Sequence, residues 1–278
     1  MMPDRFTLPL VGPASAVVFP PVARVSLPNH LRVWSVVQPA VPVVSFVLVL
    51  DGGTTSDPAD RPGLSNLAGS LAAESAGSRD AIALADALGR IGAHLDVQAA
   101  ADVTTLSLST LARHARTALE LLADVVRRPR FTADDFARVR DLRLSRLRQA
   151  SRVAGAMADR ALMTAVFGDH PYGHGALGTT RAIEVTTVDE VRAFWRDAWT
   201  PARATLIASG DVDAAALQAE ASRAFGDWTG ASGAAIVTPA PGPRPARDVL
   251  AVHRPGAAQA DVRVGHLGEA RQASLEGS

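Results

Sequence analysis

Val43-Val44-Ser45-Phe46-Val47-Leu48-Val49-Leu50, closed by Asp51-Gly52-Gly53, decides how the rest of this chain is read. Only Ser45 interrupts an apolar, valine-rich run, the pattern of a strand buried on both faces. The two glycines end it with turn chemistry. Upstream, residues 31–37 form a second extended segment, and Pro39 and Pro42 bracket the turn between the two. Downstream, residues 63–75 and 80–89 are rich in alanine and leucine at helical spacing, with Gly89 and Gly92 punctuating the second helix. Residues 94–99 and 103–110 then alternate: His94, Asp96 and Gln98 against Leu95 and Val97, and Val103, Thr105 and Ser107 against Leu106 and Leu108. The short link at 100–102 makes them a hairpin.

Further on, a helix is expected over 113–126, broken by Pro129. Thr132 with Asp134 and Asp135 is a good helix start, and that helix is expected to continue to Phe167 with a bend at Gly155. Thr187 with Asp189 and Glu190 caps another helix reaching Trp199, before Pro201. A short strand over 204–208 and a helix over 213–225 complete the pattern. Residues 1–21 read as an irregular, proline-punctuated arm, 22–230 as the main domain, and 231–247 as a Pro/Gly/Ala linker. Residues 248–278 read as the start of a second, truncated domain with strand-like pieces at 249–253 and 261–267. The order predicts an α+β fold, a mainly antiparallel sheet with helices packed on one face.

The 278 residues carry a formal net charge of +0, so no bulk field draws the chain to nucleic acid or an anionic membrane. All 28 basic residues are arginine, and the absence of cysteine excludes thiolate metal sites and a cysteine nucleophile. There is no basic start followed by an unbroken apolar run and no apolar stretch of about 20 residues, so a cytoplasmic location without membrane attachment is expected. His170 and His174 lie four apart, but Pro171 and Gly173 argue against the helix that would align them for a metal. Nine arginines between positions 127 and 152 accompany an amphipathic helix with Phe136, Val139, Leu142 and Leu147, which favours a solvated or partner-facing surface over nucleic acid. Asp96 and Asp102 are read as hairpin residues rather than paired catalytic acids. Ser65, Ser70 and Ser75 have no triad partners placed around them, and Trp195, Trp199 and Trp228 are read as packing residues.

Several short runs occur in a telling order: Leu27-Pro28-Asn29-His30-Leu31, Gly52-Gly53, Asp57-Pro58, Pro62-Gly63-Leu64, and Ile91-Gly92-Ala93-His94-Leu95. Arg128-Pro129-Arg130-Phe131, His170-Pro171-Tyr172-Gly173, Gly178-Thr179 and Ala208-Ser209-Gly210-Asp211 follow. Together these resemble the pitrilysin/insulinase family of zinc metallopeptidases, which includes the mitochondrial processing peptidases, over roughly residues 22–230. Active members carry His-x-x-Glu-His on the helix after the Gly-Leu step. Histidines at i and i+4 share a helical face and bind zinc, and the glutamate activates the bound water. The resemblance puts Asn66 and Ser70 in the histidine places and Gly69 in the glutamate place. It puts a later ligand glutamate at or within one residue of Arg146. None of these holds zinc as the family does or acts as a general base. Two readings of Arg146 stand: a cation near where the metal's charge would lie, or a solvated arginine.

The resemblance also implies that the strand His94, Leu95, Asp96, Val97, Gln98 and Ala99 is an edge on which a peptide adds as a further strand, an interaction that needs no catalytic residue. The opposite reading is an edge covered by a loop or partner. The implied protein has no catalytic residue and no cofactor of its own. It is a non-catalytic subunit that forms a peptide-binding chamber with an active zinc-peptidase partner, where the zinc resides. The alternative is a free-standing peptide-binding or structural module.

Overall fold

The computed structural model describes residue 12, residues 18–230, residue 236, and residues 238–242, 248–257 and 259–268. Three strands lead: β1 (Ala23–Ser26), β2 (Arg32–Val37) and β3 (Val43–Asp51). Helices α1 (Leu64–Ala72) and α2 (Ala81–Arg90) precede the hairpin β4 (Leu95–Ala99) and β5 (Val103–Leu111). Then come α3 (Ala115–Arg127), α4 (Ala133–Ala150), α5 (Ala154–Phe167), α6 (Thr180–Val185) and α7 (Val188–Ala198), followed by β6 (Ala204–Gly210) and α8 (Ala214–Phe225).

The six strands form one sheet in the order β1-β2-β6-β3-β5-β4. Only β2 and β6 run parallel; every other pair is antiparallel. The fold is therefore the expected mixed one. The central run behaves differently from its sequence reading. In β3, Val44, Phe46, Leu48 and Leu50 are buried, whereas Val43, Ser45, Val47 and Val49 are only half-buried. One face meets the helices and the other does not, because α1, α3 and α8 all pack on the side of the sheet that carries the core. Valine on the open face keeps the β-branched strand preference without full burial.

Thr132 caps α4 as expected, its hydroxyl accepting the Asp135 N–H at 3.1 Å. The long helix does not run through to Phe167: it ends at Ala150, and α5 begins at Ala154. The break thus falls at residues 151–153 rather than at Gly155. Ser151 turns its hydroxyl back onto the Arg148 carbonyl at 2.7 Å, and Val153 takes an extended conformation that starts the next helix.

The strand-like pieces at 249–253 and 261–267 are not strands. Val249, Leu250, Val252, Val262 and Val264 are exposed, and no described strand pairs with them. Extended chain without a ladder partner gains nothing from its β propensity. Side chains from this segment instead lie along the start of α5: Arg263 pairs with Asp159, and Arg254 donates to the Arg152 carbonyl. Most of the N-terminal arm and much of the linker lie outside the described residues. Among those described, no helix is long and apolar enough to cross a membrane.

Candidate functional site

Helix α1 carries Asn66, Gly69 and Ser70, the residues that the resemblance puts in the zinc-motif places, and its start is built from backbone geometry. Asp57, with a fully buried side chain, accepts the Gly63 N–H at 2.6 Å and the Ser65 N–H at 2.7 Å. Its negative charge sits where the helix dipole favours an anion. Burial nevertheless pushes the Asp57 carboxyl above its ordinary range, with the two backbone donors opposing that rise. Gly63, at φ +94°, is required here: a β-carbon on it would meet the Gly178 Cα at 2.8 Å. That close approach lets the loop containing Gly175, Ala176 and Gly178 lie over the first turn of α1.

One and two turns along, Asn66 and Ser70 follow at i and i+4. The Ser70 hydroxyl donates to the Asn66 carbonyl at 2.9 Å. The group that meets this pair comes from α4, and it is Arg143. Its Nη2 donates to Ser70 Oγ at 2.9 Å and to the Asn66 carbonyl at 3.3 Å, and its Nη1 reaches the Ala176 carbonyl at 3.4 Å. Arg143 is 2% exposed. Burial pushes its guanidinium down to about 10, with Arg146 adding to the fall and Asp57 opposing it. It remains charged at neutral pH.

Arg146 is exposed and makes no hydrogen bond or ion pair among the described residues. The helical period explains the difference. Phe136, Val139, Arg143 and Leu147 are the buried residues of α4, spaced three and four apart, and position 146 falls off that stripe. Sequence reasoning missed Arg143, although a lone charge within an apolar stripe was a signal. It also missed the buried Asp57.

Gly69 faces the other way, towards the hairpin. A β-carbon built there would lie 2.9 Å from Val97 Cγ1 on β4. Gly69 is thus pressed against the strand next to it. β4 is the last strand of the sheet, and no described strand pairs with its outer side. Ala100 N–H donates to the Val103 carbonyl at 2.9 Å. Alternation along the antiparallel ladder therefore turns the backbone groups of Asp96 and Gln98 inward to β5, and those of Leu95, Val97 and Ala99 outward. His94 lies just before the strand. The Gln98 amide donates to Asp96 at 2.7 Å.

The other sequence candidates resolve as structural. Asp102 accepts the Tyr172 hydroxyl at 2.7 Å, tying the hairpin turn to the loop after α5. His170 accepts the Tyr172 N–H on Nδ1, which leaves Nε2 to donate to the Pro239 carbonyl at 2.7 Å. The His174 Nδ1 lies 3.9 Å from Asp57. Within the basic stretch, Arg127, Arg128 and Arg138 are held by Asp227, Asp124 and Glu74 respectively. Trp199 and Trp228 are buried, and the partly buried Trp195 donates to the Val126 carbonyl at 2.9 Å.

Family resemblance implies zinc at this helix, and the residues present do not fit it. An amide, a hydroxyl and a missing side chain stand in the donor places, and a guanidinium sits against the second of them. Among the described residues, no group of three or more His, Cys, Asp or Glu stands together.

The sheet and its helices have the fold of a metallopeptidase-type domain. Residues 32–180 match the model of the insulinase family, peptidase family M16, and residues 186–275 match that of the peptidase M16 inactive domain. The chain belongs to the M16 family. The second match begins just before α7, yet α7, β6 and α8 share the sheet and the core with the preceding elements. An uncharacterized zinc protease of Mycobacterium tuberculosis is 30% identical over 220 residues, covering 79% of this chain and 50% of that protein. The chain thus spans about half the length of that relative. The crystal structure of a peptidase M16 inactive domain from Pseudomonas fluorescens superposes with a TM-score of 0.75 at 25% identity, covering 80% of this chain and 54% of that one. A protease from Helicobacter pylori shares the fold, with a TM-score of 0.74 at 19% identity over 80% of this chain and 54% of its own.

Proposed function

We propose that this chain is a non-catalytic member of its family that holds a peptide on the outer edge of β4 and works beside an active zinc-peptidase subunit. The observation that carries the reading is the seat of Arg143. The face of α1 where an active relative would carry two imidazoles presents Ser70 and the Asn66 carbonyl to a buried guanidinium. Neither a Lewis acid nor a base is provided there. The fold around the place is complete, with Asp57 capping the helix and Gly63 admitting the loop above it. That is the pattern of a retained scaffold rather than a decayed one.

The edge of β4 supports the second half of the reading. Leu95, Val97 and Ala99 offer their backbone groups outward, the arrangement that strand addition uses. Such binding takes its affinity from main-chain hydrogen bonds, which are indifferent to the loss of zinc. The zinc and the nucleophilic water would belong to the partner, a family member with an intact His-x-x-Glu-His helix.

Co-expression with such a relative, followed by size-exclusion chromatography and a peptide-cleavage assay, tests the proposal. A stable heteromer whose cleavage rate exceeds that of the active subunit alone is the expected result. If the chains do not associate while this chain alone binds peptide, the free-standing peptide-binding module is the better reading.

A further inference from the structure

We infer that Arg143 is a built-in cation that closes the family's metal place, so this chain excludes a zinc ion by occupation as well as by lack of ligands. The inference rests on the family reading of Asn66 and Ser70 as former ligand positions, but not on any partner.

Three observations carry it. First, the guanidinium belongs to the buried stripe of α4, between Val139 and Leu147, where an apolar residue would be the ordinary occupant. A cation that is 2% exposed at such a position needs acceptors, and Arg143 has three: Ser70 Oγ, the Asn66 carbonyl and the Ala176 carbonyl. Second, these acceptors come from two separate pieces of chain, helix α1 and the loop before α6. Arg143 therefore joins three elements at one point, as a metal ion joins its ligands. Third, Asp57 contributes favourably to the charge on Arg143 and is itself fully buried, so the site carries an internal counter-charge. A second cation entering beside Arg143 would meet its fixed positive charge, while the single counter-charge is already matched.

Steric argument points the same way. Arg143 Nη2 lies 2.9 Å from Ser70 Oγ. An imidazole at position 70 would project its ring beyond the Oγ position, towards the place the guanidinium holds. Restoring the two histidines alone would not restore the metal site.

The full chain carrying Asn66→His and Ser70→His tests this, compared with the same chain also carrying Arg143→Ala. Zinc affinity is read by competition with a chromophoric chelator, and Co2+ absorption reports whether the ion is bound by imidazole. The expected result is an affinity at least about ten-fold tighter once Arg143 is removed. Arg148→Ala, which removes an exposed arginine of the same helix, is the control for net charge in the histidine-pair background, and it should change affinity far less. If the Arg143→Ala chain lacks a cooperative melt, Arg143→Gln, neutral but still able to donate to a neighbouring acceptor, takes its place in the comparison. Equal zinc affinity with and without Arg143, or an equal gain from Arg148→Ala, overturns the inference. Neither outcome bears on whether the chain pairs with an active subunit.

Discussion

Arg143 on α4 donates to the hydroxyl of Ser70 on α1 at 2.9 Å, joining residues 73 apart in sequence. The contact fixes the relation of α1, the loop at Ala176 and α4, and it is the most informative single feature of the site. Arg143→Met is expected to lower the free energy of unfolding by about 1–3 kcal/mol, since the buried acceptors lose their donor. Arg143→Lys should lose less, because it keeps a charge near Asp57. Urea unfolding followed by circular dichroism measures both. A methionine variant as stable as the wild type would contradict this role.

Gly69 and Val97 are predicted to be coupled. Glycine inside a helix costs about 1 kcal/mol relative to alanine, so Gly69→Ala would ordinarily stabilise α1. The added methyl meets Val97 Cγ1 at 2.9 Å, and crowding of that kind costs roughly 1–3 kcal/mol. A net loss of stability is therefore expected for Gly69→Ala. In a Val97→Ala background the same substitution should become stabilising. A double-mutant cycle on thermal unfolding gives the coupling, and simple additivity would show that the two residues do not compete for space.

Peptide pairing on β4 should depend on individual backbone groups. Val97→Pro removes an outward N–H from an edge strand, where proline is tolerated, so the fold should survive while peptide affinity falls. Val97→Ala controls for the lost side chain and should bind normally. Gln98→Pro removes an inward N–H that the hairpin uses, so it should destabilise the protein itself. Fluorescence anisotropy with a labelled extended peptide separates the three. Unchanged binding by Val97→Pro would place the peptide elsewhere.

Glu190 completes the cap of α7, accepting the Thr187 N–H at 2.7 Å and pairing with Arg61. The Thr187 backbone donor is the main reason its carboxyl is held below the ordinary glutamate value; burial opposes the shift, and the Thr187 hydroxyl and Arg61 add to it. A lowered folded-state value means that the ionised carboxylate stabilises the fold above the unfolded value and that this is lost as pH falls through the folded one. Glu190→Ala should cost about 1 kcal/mol at neutral pH. The difference from wild type should vanish in acid below the ordinary carboxylate range. A difference independent of pH would rule out the charge as the cause.

Much of this was legible in the residues. The alternation of 94–99 and 103–110 gave the hairpin, and Thr132, Asp213 and Thr187 cap the helices they were read to start. Asn66 and Ser70 were singled out by the ordered motifs around them, and the structure brings the Ser70 hydroxyl and the Asn66 carbonyl to one guanidinium. Local patterns do not show which face of a strand a helix covers, so the run of β3, apolar but for Ser45, was read as buried on both sides when only one is. Nor do they separate two helices from one bent helix, which is why the break at 151–153 was placed at Gly155. Arg143 was hidden for a different reason. Counting to a motif position leads to Arg146, whereas burial is decided by the stripe through Phe136, Val139 and Leu147, and that stripe selects Arg143.

The most direct test of the account is the metal content of the purified wild-type chain. It would be equilibrated with zinc, freed of excess by gel filtration, and measured by plasma mass spectrometry alongside a peptide-cleavage assay. The account predicts no stoichiometric zinc and no zinc-dependent cleavage by this chain alone. Stoichiometric, chelator-removable zinc with matching hydrolytic activity, abolished by substituting Asn66 or Ser70 with alanine, would contradict it.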